Sequence, residues 1–150
     1  MSCFTTGVTV VTAHTQGQDW GMTCNSFNTV SLDPAMVLWS VRKTSLSHEA
    51  FVNAGGYMVN VLGAQQKDLA LKFAQGTQAE RFADQQMVRG LNHHPRLEGV
   101  IAWFDCRIAQ VVSAGDHDIL IGEVLDFGVH AGHGLAYSQR SCGVLAPMED

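Results

Sequence analysis

Short turns, rather than helices, join most of the extended segments predicted along this chain, and this connectivity limits the fold more than any other feature. Parallel strands need crossover connections of about a dozen residues or more, whereas antiparallel neighbours need only a few. The apolar runs predict about seven strands and two or three short helices. This count favours an antiparallel barrel with small helical insertions over a doubly wound parallel sheet.

The strands are defined by runs of β-branched and apolar residues. We place them at 7–13, 20–30, 36–41, 57–62, 100–112, 117–129 and 135–138. A hairpin turn is expected at 14–19, and a second turn at Leu32-Asp33-Pro34, because proline fixes φ. Helices are predicted at 47–54, capped by Ser47, and at 65–74, and the polar stretch 77–98 is expected to form a short helix and a loop.

Length and composition predict one folded domain over residues 1–150. Only 15% of the residues are charged, so little charge is available to cover the surface, which fits an oligomer. The net charge is −5 and no basic run occurs, which argues against a nucleic-acid partner.

Targeting features are also missing from the sequence. No apolar stretch approaches the roughly 20 residues of a membrane span, and no signal peptide precedes the first strand. A cytoplasmic location is therefore expected. The four cysteines form no C-x-x-C pair and are expected to be buried free thiols.

The stretch RKTSLSH at 42–48 gathers two of only nine cations with three hydroxyl side chains, between a buried strand and a predicted helix. Unpaired N–H groups at a helix start, together with cations and hydroxyls, are typical of a phosphate site. An ordinary solvated loop explains the same pattern, so both interpretations stay open on the residues alone.

The stretch GMTCNSF at 21–27 places small and amide side chains in a strand that should otherwise alternate with apolar ones. Such groups can hydrogen-bond the edge of a polar ring, and a small residue lets a flat ring approach the backbone. A polar-faced edge strand is the alternative.

Histidines supply the remaining candidates. His117 lies at a strand end beside a turn, on the same face as Ile119 and Ile121 by alternation, so it is either a core residue or a site residue. The pairs at 93–94 and 130–133 have no carboxylate or thiol at ligand spacing, and no metal site is predicted there.

Several of these pieces occur in an order that resembles a known family. They are FTTGVTVVT at 4–12, GMTCNSF at 21–27, VSLDP at 30–34, NVL at 60–62, the helix at 65–73, and GDH at 115–117 leading to GEV at 122–124. The ordered set covers nearly the whole chain and resembles the short-chain flavin reductases, the reductase components of two-component flavin-dependent monooxygenases.

This resemblance implies a mainly β, FMN-binding split barrel that works as a homodimer. Relatives usually carry a helix before the first strand, and this sequence starts almost at that strand, so residues 1–150 are expected to form one flavin reductase-like domain without that helix. It implies reduction of FMN or FAD by NADH or NADPH, with reduced flavin passing to a partner monooxygenase by diffusion. The residues it places against the isoalloxazine ring are Thr23, Cys24, Asn25 and Ser26. Those it places around the phosphate are Ser40, Val41, Arg42, Lys43, Ser45 and Ser47.

The resemblance also places His117 beside the nicotinamide, where it would orient the ring rather than act as an obligatory base. Phe73 and Phe82 are candidates to wall the pocket or to belong to the core. Two other functions stay open: a flavin-binding electron carrier or redox sensor without turnover, and a split-barrel reductase of ferric or corrinoid complexes.

Overall fold

The computed structural model describes residues 1–149 and is built mainly from antiparallel strands. The strands are β1 (Thr6–Gly7), β2 (Thr9–Thr15), β3 (Gln18–Cys24), β4 (Asn28–Leu32), β5 (Ala35–Arg42), β6 (Gly56–Val61), β7 (Met87–Arg89), β8 (Pro95–Leu97), β9 (Ala102–Ala114), β10 (His117–Val129), β11 (Ala136–Ser138) and β12 (Ser141–Gly143). The helices are α1 (His48–Asn53), α2 (Lys67–Lys72) and α3 (Gln78–Phe82). The predicted mainly β fold with short helical insertions is confirmed.

Seven strands form the main sheet in the order β3-β2-β6-β9-β10-β5-β4. Its two outermost strands, β3 and β4, are consecutive in the chain and are joined only by residues 25–27. In a flat sheet they would lie about 29 Å apart, whereas this connection spans at most about 14 Å. The sheet must therefore curl until its two edges approach each other, which produces a barrel.

The two faces of the sheet carry separate cores. The barrel interior is filled from both halves of the sheet, with Trp39 of β5 packed edge-on against Phe51 of α1 and Tyr57 of β6. The outer face of β2, β6 and β9 is covered by α2, by β8 and by the segments flanking β11, including Phe73 and Leu97. Because β2 and β6 are buried on both faces, each carries apolar side chains on both, and the buried Asn60 of β6 donates a hydrogen bond to the Val10 carbonyl of β2.

The predicted single strand at 20–30 is wrong, because it is two strands that pair at opposite edges of the main sheet. Strand β3 pairs with β2, and β4 pairs with β5. Residues 25–27 carry the chain across the gap between the two edges. Polar residues at this point therefore mark a crossing of the barrel rather than the middle of a strand.

Three smaller predictions also need correction. The turn expected at 14–19 is limited to Gln16-Gly17, because β2 and β3 continue on either side of it. The stretch 77–98 contains α3 and also the hairpin β7–β8. Ser47 does not cap α1 with its side chain; its backbone is helical, and its hydroxyl accepts a hydrogen bond from Gln78 instead.

The four cysteines are free thiols, but the prediction that all of them are buried is wrong. Only Cys106 is fully buried, whereas Cys24 and Cys142 are half-buried and Cys3 is exposed. Among residues 1–149, none of the three helices is long and apolar enough to cross a membrane.

Candidate active site

The outer face of the barrel brings together the two segments singled out in the sequence. We call residues 23–26 the ring segment and residues 42–47 the cation loop. The Ser26 hydroxyl accepts a hydrogen bond from the Ser40 backbone N–H (3.0 Å) and donates one to the Ser40 carbonyl (3.2 Å). Because β5 runs from Ser40 directly into the cation loop, this pair of bonds joins the two segments.

A groove of about 330 Å³ opens beside the ring segment. Thr23, Cys24 and Asn25 form one side of it, and the rest is formed by Val8, by small or apolar residues in and just after α2, and by the C-terminal strands. Asn25 is exposed, so its amide is free to meet a ligand. A mostly apolar groove with a few polar groups at one side suits a flat heteroaromatic ring.

Two side chains of the ring segment serve the protein itself. The Thr23 hydroxyl donates to the Ala70 carbonyl (2.6 Å), which fixes α2 against β3. The Cys24 sulfur lies 3.1 Å from the Thr9 hydroxyl and packs against the barrel interior. Burial raises the pKa of the Cys24 thiol, so this group stays protonated and is a weak nucleophile.

The cation loop follows β5 and precedes α1, as the sequence predicts. Arg42 and Lys43 are exposed, and the Lys43 ammonium donates to the Ser113 hydroxyl at the end of β9 (2.5 Å). The Ser45 hydroxyl accepts from the Ser47 backbone N–H (3.2 Å), which tightens the loop into a turn. Val41, in contrast, is fully buried in the barrel interior, so only its backbone can serve a ligand.

His117 pairs directly with Arg42 across β5 and β10, and both lie on the outer face. The core face of β10 is instead that of Leu120, which is fully buried in the barrel interior. The Nδ1 atom of His117 lies 2.8 Å from an Asp116 carboxylate oxygen, and this hydrogen bond holds the pKa of Asp116 below its ordinary value. A carboxylate accepting from Nδ1–H leaves Nε2 of the neutral ring as an acceptor.

A second histidine–carboxylate pair stands behind the first. His48 Nε2, on the first turn of α1, lies 2.6 Å from an Asp118 oxygen on β10. Both side chains are mostly buried, and the contact fixes the end of the cation loop against the strand that carries His117. Sequence reasoning did not find this pair, because the two residues are 70 positions apart.

Helix α3 contributes two further residues that the sequence did not indicate. Gln78 Oε1 accepts from the Gly21 backbone N–H (2.9 Å), and Arg81 donates to the Gly21 carbonyl (2.7 Å). Burial lowers the pKa of Arg81 from its ordinary value. These contacts occupy the free edge of β3, the strand that leads into the ring segment.

Phe73 and Phe82 pack edge to face over Gly21, with ring centroids 5.0 Å apart. A Cβ at Gly21 would lie 2.6 Å from the Phe73 ring, so glycine is needed there for the rings to approach. Phe73 is fully buried in the outer core, whereas Phe82 is only partly buried at its edge. Phe73 therefore packs against β3 as part of the outer core, which is one of the two roles expected for it from the sequence.

A larger cavity lies elsewhere, between the β7–β8 hairpin and residues 130–131, with a volume of about 650 Å³. Arg96 stands over the Trp103 ring at its rim, 4.6 Å from the ring centroid. The polar groups of the ring segment and the cation loop do not line it, so size alone does not identify the site.

Comparison with known protein families gives one match over almost the whole chain. A family model described as "Flavin reductase like domain" covers residues 1–146. A trigonelline monooxygenase reductase component from Acinetobacter baylyi is 45% identical over 135 residues, 89% of this chain and 43% of the relative. An NADH-dependent FMN reductase from Agrobacterium fabrum is 43% identical over 95% of this chain and 81% of the relative. The chain thus spans less than half of the first relative.

Solved structures agree with the sequence relatives. The NADH:FAD oxidoreductase SgcE6 of Streptomyces globisporus superposes with a TM-score of 0.92 at 34% identity, over 99% of this chain and 85% of that one. The same protein has been solved in complex with NAD and FAD fragments. The flavin reductase component of a bacterial two-component tryptophan halogenase superposes with a TM-score of 0.89 at 34% identity, over 98% of this chain and 94% of that one.

Proposed function

This chain belongs to the flavin reductase-like domain family, and we propose that it is a flavin reductase that uses NADH or NADPH to reduce FMN or FAD and supplies reduced flavin to a flavin-dependent monooxygenase. The observation that carries the proposal is the double hydrogen bond between Ser26 and Ser40, because it joins a ring-sized groove to a loop of cations and hydroxyls. A ligand that has both a flat ring and a phosphate needs the groove for its ring and the cation loop for its phosphate.

The residues present fit a flavin. The groove beside the ring segment supplies small and apolar contacts, with the exposed amide of Asn25 at its side. The cation loop supplies Arg42, Lys43 and the hydroxyl of Ser45 for a phosphate. Bound flavin would accept a hydride from the nicotinamide and carry it to an acceptor. The protein contributes position and electrostatics.

His117 and Asp116 serve the nicotinamide in this proposal. The Asp116 carboxylate holds the imidazole through Nδ1 and leaves Nε2 toward the outer face, where it can orient an amide-bearing ring. Hydride transfer requires no proton abstraction at this point, so a positioning role is sufficient.

We further propose that the chain works in the cytoplasm, where reduced pyridine nucleotides are maintained and free thiols persist. The four free cysteines support this location. Diffusion of reduced flavin, rather than a stable complex, would connect the reductase to its monooxygenase partner.

The test of the function is a comparison of FMN with riboflavin, which lacks the phosphate. Wild-type protein should bind both and should oxidise NADH or NADPH when free flavin is added. Lys43→Ala should weaken FMN binding by about tenfold or more while leaving riboflavin nearly unchanged, because it removes a charge-assisted contact. Fluorescence quenching titrations give both dissociation constants.

Lys67→Ala is the matched control, since Lys67 is an exposed lysine on α2 outside the cation loop. It should bind FMN as wild type does. Equal weakening of FMN and riboflavin by Lys43→Ala would contradict a phosphate role for the loop. Flavin binding without NADH or NADPH oxidation would instead indicate an electron carrier.

We propose that the functional unit is a homodimer. Apolar side chains are exposed at the end of the barrel where β5 begins: the β4–β5 hairpin turns there, and β10 continues past its last pair with β5, Glu123 with Met36. Leu32 is 94% exposed, Phe127 63% and Val129 73%. Exposed apolar groups gathered at one end are typical of an interaction surface, and a twofold dimer is the commonest way to cover one.

Sedimentation at micromolar concentration should therefore give a species of twice the 16.3 kDa chain mass. Phe127→Lys should shift it to the monomer without unfolding it, because the ring is largely exposed in the single chain. Leu46→Lys, at an exposed leucine of the cation loop, is the control for adding a lysine elsewhere. A wild-type protein that is active and monomeric would refute the dimer.

A further inference from the structure

Helix α3 contacts both segments of the candidate site through one side chain. Gln78 accepts the Gly21 backbone N–H through Oε1 (2.9 Å) and donates from Nε2 to the Ser47 hydroxyl (3.2 Å). Gly21 lies in β3, two residues before the ring segment, and Ser47 ends the cation loop. A single amide thus bridges the strand leading into one segment and the last residue of the other.

The bridge replaces a missing strand. Strand β3 is at the edge of the main sheet, so its outward N–H and C=O groups have no neighbouring strand to pair with. Gln78 takes the Gly21 N–H, Arg81 takes the Gly21 carbonyl, and the Phe73 carbonyl takes the Thr23 N–H (3.2 Å). The free edge of β3 is therefore held by two side chains of α3 and by the Phe73 backbone. A shift of α3 would consequently move β3.

The helix itself is too short to set its own position. It has five residues and one side-chain capping bond, from the Glu80 N–H to the Thr77 hydroxyl (3.1 Å). Helices of this length are marginal without tertiary contacts. The contacts of Gln78 and Arg81 with β3, together with Phe82 packed on Phe73, therefore fix where α3 lies and what it holds.

We propose that Gln78 is a positioning residue that sets the separation between the β3 end of the ring segment and the cation loop. This inference rests on the proposed function, since the two segments matter jointly only for a ligand that spans them. Gln78 acts through Gly21 and Ser47 and need not touch the flavin. A glutamine suits the role because one amide supplies an acceptor and a donor without adding charge beside a phosphate.

Two ligands that differ only in the phosphate can distinguish a change in the separation of the two segments from a general effect on the fold. FMN reaches from the ring segment to the cation loop, whereas riboflavin has no phosphate and depends less on their separation. Gln78→Met keeps the side-chain length and removes both hydrogen bonds. It should raise the dissociation constant of FMN about five- to tenfold and that of riboflavin less than twofold.

A control variant and a second measurement complete the experiment. Gln75→Met makes the same substitution at an exposed glutamine just before α3 and should bind both ligands as wild type does. Amide hydrogen exchange over residues 18–24 of the free protein should accelerate in Gln78→Met.

The outcomes separate this inference from the function on which it rests. A wild-type protein that binds neither FMN nor riboflavin overturns both. Wild-type binding with unchanged FMN affinity in Gln78→Met overturns the positioning role alone. Equal losses for FMN and riboflavin, together with a lower melting temperature, would show that Gln78 only supports the fold and would equally overturn it.

Discussion

Acidification from pH 7 to pH 4 should lower the free energy of unfolding by about 3 kcal/mol through the side chain of His94 alone. His94 is 2% exposed, and its Nδ1 accepts a hydrogen bond of 2.9 Å from the His14 backbone N–H. A ring nitrogen that accepts cannot carry a proton, so the folded chain holds the neutral imidazole. Burial, reinforced by the charges of His14 and His93, lowers the pKa of His94 from 6.5 to about 4.

The direction of the effect follows from the two pKa values. Between pH 6.5 and about pH 4, His94 is protonated in the unfolded chain but not in the folded chain. The contribution of His94 to the free energy of unfolding is therefore fully present above pH 6.5 and is lost as the pH falls toward 4. Asp105 works in the opposite direction, because burial raises the pKa of its carboxyl group and so favours the folded state in acid.

Comparison with His94→Asn isolates the histidine. The Asn Oδ1 can accept the His14 N–H in place of Nδ1 and does not titrate. Urea denaturation at several pH values should show a loss of stability between pH 7 and pH 4 that is about 3 kcal/mol smaller in the variant. His133→Asn, at an exposed histidine, should keep the wild-type profile. Identical profiles for wild type and His94→Asn would refute the assignment.

Local patterns predicted the strands, and long-range pairing decided where they begin and end. Alternation at 117–129 is a property of neighbouring residues, so β10 could be recognised directly. The division of 20–30 could not, because it depends on β3 and β4 finding partners at opposite edges of the sheet. The hairpin β7–β8 was missed for the same reason: its short strands carry little periodicity of their own.

The candidate site shows the same limit. Cations and hydroxyls at 42–47 and small polar residues at 23–26 are recognisable by their chemistry, and the family resemblance links them. Gln78 and Arg81 are 57 and 60 residues away from Gly21, which both of them contact. In the sequence they look like the solvated face of a short helix. Only the free edge of β3, a topological fact, gives them a role.

His117→Ala should slow reduction of bound flavin by about 10- to 100-fold while leaving flavin affinity nearly unchanged. The physical reason is its place on the outer face, paired across the strands with Arg42 and held by Asp116 through Nδ1. Its side chain is 35% exposed, so its loss leaves no cavity in the barrel interior. The effect stays moderate because other groups share the positioning of the nicotinamide.

Stopped-flow reduction by NADH or NADPH measures the rate, and a flavin titration and a thermal melt of the same variant measure affinity and stability. His130→Ala provides the control, since His130 is exposed near the end of β10, outside the candidate site. A structural His117 would give an unaltered reduction rate with a lowered melting temperature.

Asp116→Asn adds a finer comparison: it keeps an oxygen that can accept from Nδ1 but removes the charge. If orientation of the imidazole is what counts, this variant should lose less activity than His117→Ala, because the ring and its Nε2 acceptor remain in place.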